Sequence, residues 1–122
     1  MTDVSKILYV DDEVINQHLF KINLSKHYNV ITGSDGAEGL DILKNDKEIK
    51  LVISDMKMPI MNGMDFIKNA KLMYPNLPFF LLTGFDITPE INEAINSKLI
   101  ISHLRKPFDI TQMLLAFSKA LA

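Results

Sequence analysis

Ile7-Leu8-Tyr9-Val10-Asp11-Asp12 decides the fold: an apolar run of strand length that ends abruptly on two acids. Three later segments repeat the arrangement. Leu51-Val52-Ile53-Ser54 ends on Asp55, Phe79-Phe80-Leu81-Leu82 ends on Thr83, and Leu99 to Leu104 runs through Arg105 into Lys106-Pro107. In an open parallel α/β sheet the ligand site lies outside the carboxyl ends of the strands. As parallel neighbours, these runs bring three carboxylates, a hydroxyl and an ammonium to one pocket.

The segments between the runs have helical period. Ile15, Leu19 and Ile22 recur at helical spacing after the first strand, and Tyr28 to Thr32 reads as a short strand. Asp35 and Glu38 form a candidate capping box, with Ala37, Leu40 and Leu43 on one face behind it. A loop from Met56 to Met61 leads to Asn62, which can cap a helix carrying Phe66, Ile67, Ala70 and Met73, ended by Pro75 and Pro78. Thr88-Pro89 is an N-cap and first-position proline, with Ile91 and Ile95 turned inward. Asp109 and Gln112 form a candidate capping box for the last helix, whose stripe is Ile110, Met113, Leu114, Phe117 and Leu121. Five strands alternate with five helices, the pattern of a parallel sheet with helices on both faces. The expected fold is α/β: a flavodoxin-like, doubly wound five-stranded parallel sheet of order 2-1-3-4-5. That order sets the first strand beside the third, so Asp11, Asp12 and Asp55 meet.

The 122 residues suit one domain, expected to span residues 1–122 with no output domain following it. The apolar share of 48% and charged share of 23% are those of an ordinary soluble globule. The absence of cysteine excludes disulfides and thiolate metal sites and fits a cytoplasmic location. Thirteen basic against fifteen acidic residues leave a formal charge of −2 and no obvious basic face, so direct nucleic-acid binding is not expected. No signal-peptide pattern and no membrane-length apolar run are present, so no membrane partner is expected either.

Clustered carboxylates repel: at ~4 Å and an effective dielectric near 20, a pair of unit charges costs about 4 kcal/mol. A hard divalent cation relieves this, and oxygen ligands beside a phosphate partner describe magnesium (or manganese) better than zinc. A metal-neutralised aspartate can attack phosphorus and form an aspartyl phosphate. Lys106 then offsets charge on the phosphoryl oxygens and the Thr83 hydroxyl donates to one of them, since phosphoryl transfer depends mainly on positioning and charge stabilisation. Each motif alone has an ordinary reading. Asp11-Asp12-Glu13 can be a strand end and helix N-cap, Asp55 and Thr83-Gly84 can be turns, and Lys106-Pro107 can be a plain connection. Their joint placement at one end of successive strands points to chemistry.

At Tyr9-Val10-Asp11-Asp12-Glu13, Asp55-Met56-Lys57-Met58-Pro59 with Asn62-Gly63, Leu81-Leu82-Thr83-Gly84 and Lys106-Pro107-Phe108, the chain resembles the receiver domains of two-component response regulators, the CheY-like family. The resemblance runs along its whole length. It implies that Asp55 accepts a phosphoryl group from a phosphohistidine on a sensor histidine kinase or phosphotransfer protein. It implies that Asp12 and Asp55 ligate magnesium directly, Asp11 acts mostly through water, and the Lys57 backbone carbonyl is a further ligand. Lys106 would pair with Asp55 and then with the phosphoryl group, next to a cis Lys106-Pro107 bond. The hydroxyl of Thr83 would move toward the phosphoryl group while an aromatic three residues before the lysine turns inward. That switch position holds His103, where phenylalanine or tyrosine is commoner; it fills part of the volume and adds polarity. Gly84 leaves space for a donor, Lys57 sets a cation at the mouth of the site, and Phe85 is expected to be partly buried. The readout face to an unknown downstream protein target would be the fourth helix, fifth strand and fifth helix, roughly Thr88 to Leu121.

The domain is thus expected to be a signalling phosphoacceptor that catalyses only its own phosphorylation and dephosphorylation. One rival is a receiver that docks proteins without phosphorylation. A second is a phosphatase with an aspartyl nucleophile at the end of the first strand, although such enzymes want Asp-x-Asp and this chain offers adjacent Asp11-Asp12. A flavin-binding module shares the topology but requires a hydroxyl-rich phosphate loop that does not follow the first strand.

Overall fold

A computed structural model describes residues 4–84, 87–107 and 109–122. Five strands, β1 (Lys6–Val10), β2 (Asn29–Gly33), β3 (Ile49–Asp55), β4 (Phe79–Thr83) and β5 (Ser102–Arg105), alternate with five helices, α1 (Val14–Leu24), α2 (Gly36–Asn45), α3 (Gly63–Met73), α4 (Pro89–Asn96) and α5 (Ile110–Leu121). The strands form one sheet in the order β2-β1-β3-β4-β5, and every neighbouring pair is parallel. This is the expected flavodoxin-like arrangement.

Strand alternation divides the core into two layers. Leu8, Val10, Val52, Phe79 and Leu81 face α2, α3 and α4, where they meet Leu43, Phe66, Ile67 and Ile91. Ile7, Tyr9, Leu51, Ile53, Phe80 and Leu82 face α1 and α5, where they meet Phe20, Leu24, Met113 and Phe117. Both faces are covered, which is why the central strands read as unbroken apolar runs.

The predicted caps form. Asp35, Asn62, Thr88 and Asp109 each accept a hydrogen bond from the backbone N–H three residues on. The Glu38 side chain reaches back to the Ser34 N–H at 2.8 Å, one residue beyond the usual capping-box target. Three details differ from expectation. Ile15, Leu19 and Ile22 do lie on a helix, but their stripe faces solvent, with Ile15 72% and Ile22 70% exposed; α1 buries Phe20 and Leu24 instead. On α2 the inward face is Gly36, Gly39 and Leu43, with Ala37 outside. Gly39 is there because a Cβ would come within 2.7 Å of the Phe66 ring on α3. The apolar run at Leu99 is not yet strand: Lys98 takes a left-handed φ of 64°, Leu99 N–H bonds back to Ala94 O at 2.9 Å, and β5 starts only at Ser102. A helix-closing turn of this kind usually carries glycine or asparagine, and lysine gave no such signal.

Candidate functional site

The carboxyl ends of β1, β3, β4 and β5 carry the reactive side chains, and ladder bonds running one step past the strands hold them. Asp11 N–H donates to Gly33 O at 3.0 Å, Met56 N–H to Leu82 O at 3.0 Å and Lys106 N–H to Thr83 O at 2.9 Å. Asp55 is the last residue of β3 and Thr83 the last of β4. Below Asp55 the chain turns back so tightly that Gly63 N–H reaches Met56 O at 2.8 Å, and a Cβ on Gly63 would sit 2.1 Å from Asp55 O. Glycine alone fits that contact.

A cleft of about 360 Å³ opens at this edge, lined by Asp12, Asp55, Lys57, Thr83 and Lys106 together with Glu13, Met56 and Gly84. Asp11 is fully buried beneath it, yet one carboxylate oxygen from each of Asp11, Asp12 and Asp55 lies within 4.8 Å of the others. Lys106 Nζ stands 2.9 Å from Asp55 Oδ1 and 3.8 Å from Asp11 Oδ2. The Lys106-Pro107 bond is cis. Burial pushes the Asp55 carboxyl above its ordinary range; Lys106 pulls the other way, while Asp11 and Asp12 add to the rise. Burial pulls the Lys106 ammonium down, but Asp55, Asp11 and Glu13 outweigh it and leave it raised. Burial and the neighbouring charges thus act together on both groups. An oxygen-only donor set at this spacing suits a hard divalent cation such as magnesium.

The structure therefore brings Asp11, Asp12, Asp55, Lys57, Thr83 and Lys106 together, as expected from sequence. His103 lies apart from the cleft lining. It pairs with Leu81 while Arg105 pairs with Thr83, so alternation puts it on the sheet face of Leu81 and Thr83. Its Nδ1 is buried without a hydrogen-bond partner among the described residues. Among the described residues a Cβ on Gly84 would meet only Lys106 Cβ, at an ordinary contact distance of 3.9 Å. Phe85 and Phe108 lie outside the described residues.

Two contributors went unread in the sequence. The Tyr9 hydroxyl donates to Asp11 Oδ2 at 2.5 Å, and the Gln17 amide donates to Asp11 O at 2.7 Å. Tyr9 was detectable in principle, because residues i and i+2 of a strand share a face. Burial and the hydrogen bond to Asp11 push the Tyr9 phenol well above its ordinary value, so it is a donor.

The sequence profile of the response regulator receiver domain matches residues 7–118. The chain belongs to the response regulator receiver family. Its relatives include the transcriptional regulatory protein GlrR of Escherichia coli, 34% identical over 94% of this chain but only 26% of that protein. The receiver thus spans about a quarter of the length of that relative. Sporulation initiation phosphotransferase F of Bacillus subtilis is 31% identical over 95% of this chain and 93% of its own. Among solved structures, the signal receiver domain of an HD domain-containing protein from Pseudomonas fluorescens superposes with a TM-score of 0.89 at 32% identity, covering 98% of this receiver and 95% of that chain. Membership places the receiver in two-component signalling, where a phosphoacceptor role is the family's function. Among the described residues no helix is long and apolar enough to cross a membrane.

Proposed function

We propose that this chain is a single, cytoplasmic receiver whose Asp55 takes a phosphoryl group from a phosphohistidine on a sensor histidine kinase or phosphotransfer protein. The phosphorus–nitrogen bond breaks as the bond from an Asp55 oxygen to phosphorus forms, and the leaving imidazole takes up a proton. The observation that carries this reading is the Lys106 ammonium 2.9 Å from Asp55 Oδ1 at the wall of a cleft shared with Asp12 and Thr83. Asp12, Asp55 and the Lys57 carbonyl would hold magnesium, with Asp11 acting through water; the cation would supply charge neutralisation for the incoming phosphoryl oxygens. Lys106 pairs with those oxygens next, and the Thr83 hydroxyl donates to one of them.

Leu19, from the exposed apolar stripe of α1, lines with Asn16 a groove that shares Gly84 and Lys106 with the cleft and includes Pro107. An exposed apolar surface bordering the reactive carboxylate suits a docked protein donor. The phosphatase reading is disfavoured, because Asp11 is fully buried with both carboxylate oxygens accepting hydrogen bonds. A new charge of about −1.5 to −2 at Asp55 would favour an arrangement of Thr83 and His103 that changes the α4-β5-α5 face toward a downstream protein. The test is labelling by acetyl phosphate with magnesium: Asp55→Asn abolishes it. Undiminished labelling of that variant would remove Asp55 as the phosphoacceptor.

A further inference from the structure

The edge of the sheet opposite the reactive cleft holds a second cavity. A groove of about 510 Å³ lies at the amino ends of β3 and β4, between the end of α2 and the connection from α3 to β4. Leu43 and Ile49 are buried in its wall, and Tyr74, Leu77 and Pro78 supply more of its apolar surface. The polar atoms of that wall are paired with one another. The Tyr74 hydroxyl donates to Leu43 O at 3.1 Å, Leu77 N–H to Tyr74 O at 3.2 Å and Val52 N–H to Pro78 O at 3.0 Å. Lys71 Nζ donates to Leu77 O at 3.3 Å. Asp46, the acid in the lining, is held by Lys6 Nζ at 2.8 Å.

What is left over is positive. Lys47 and Lys50 line the same groove, both exposed, and neither has an ion-pair partner among the described residues. Lys47 is also held in place: its Nζ donates to the Tyr74 hydroxyl at 3.0 Å and stands 5.1 Å from the centroid of that ring. An ammonium has three donors, so two remain for a ligand. The geometry points to a binding site for a medium-chain fatty acid, its chain along the apolar wall and its carboxylate at Lys47 and Lys50. The volume is that of a small-molecule site, in which apolar walls carry a few polar groups that fix orientation. Because the wall's own polar atoms are taken, it offers little to a sugar or a peptide backbone. Apolar contact and charge are the attractions that remain. The site is separate from the phosphoacceptor chemistry and stands or falls without it.

Octanoate is the probe, added below its micelle concentration to the isotope-labelled whole chain and followed by amide shifts. Saturable shifts confined to residues 43–50 and 73–78 are expected. From hexanoate to decanoate the affinity should rise about two- to fourfold per methylene, the gain for burying a CH₂ group. Octylammonium, with the same chain and the opposite charge, should bind about tenfold more weakly or worse. The double variant Lys47→Ala/Lys50→Ala should weaken octanoate by about the same factor. The first three measurements use the wild type, so they decide even if the variant fails to fold. Absence of saturable shifts, equal binding of octylammonium, or an unaffected double variant overturns the proposal. So do octanoate shifts that centre on the exposed stripe of α1, which would mark unspecific adsorption. If the groove's amides instead respond to protein concentration alone, its occupant is a second copy of the chain and the proposal is wrong.

Discussion

Single side chains carry unequal strain. Ile60, in the loop between β3 and α3, has a φ of 70° and is fully exposed. A β-branched residue in the left-handed region is strained, and no burial offsets it here. Ile60→Gly should raise stability by about 1 kcal/mol, less some unfolded-state entropy, read as a higher urea midpoint. Gly63 is the opposite case. Gly63→Ala sets a Cβ against Asp55 O, so the loop must shift; a loss of about 3 kcal/mol and a sharp fall in acetyl phosphate labelling are expected. Lys106→Met leaves the Asp55 carboxylate buried without its ammonium. Partial exposure of Lys106 softens the cost to about 1–3 kcal/mol in urea unfolding, and magnesium should restore part of it.

At the level of elements, the sequence revealed existence and order better than facing. Apolar runs and caps located every strand and helix. The stripe of Ile15, Leu19 and Ile22 announced α1 but not which side it buries, because period says nothing of the partner surface. Likewise the start of β5 was hidden by the apolar continuity from Leu99, where the break comes from a lysine in a left-handed turn. The start of β1 is anchored where Lys6 Nζ meets Asp46 Oδ2 at 2.8 Å, after α2. The hydrogen bond from Lys6 holds the Asp46 carboxyl below its ordinary value, and the bond to Asp46 raises Lys6. A depressed carboxyl contributes stability above its unfolded value near 3.8, lost as pH falls through the folded value. Asp46→Asn should therefore lower stability slightly at neutral pH, with the difference vanishing once pH falls below the depressed folded value, in urea titrations from neutral into the acid range.

The whole molecule concentrates its chemistry at one edge of the sheet. That edge was legible because unrelated segments each ended on a group useful to phosphate, a coincidence that parallel topology explains. What escaped reading was the support beneath it: strand alternation put Tyr9 on the face of Asp11, but the bond it makes there, and that of Gln17 to the Asp11 carbonyl, are contacts of an assembled core. If the acidic cleft holds magnesium, the cation stabilises the entire fold by mass action, about 2.7 kcal/mol at 100 times its dissociation constant. Thermal unfolding with and without chelator should show that gain in the wild type and lose most of it in Asp12→Asn.

The amides of Asp11, Met56 and Lys106 are tied to carbonyls of adjoining strands. Backbone at the reactive rim can therefore shift only by unzipping the margin of the sheet, so signalling is left to rotamers and loops. Deuterium uptake at those three amides should stay as slow after phosphorylation as before, while amides around α4 respond.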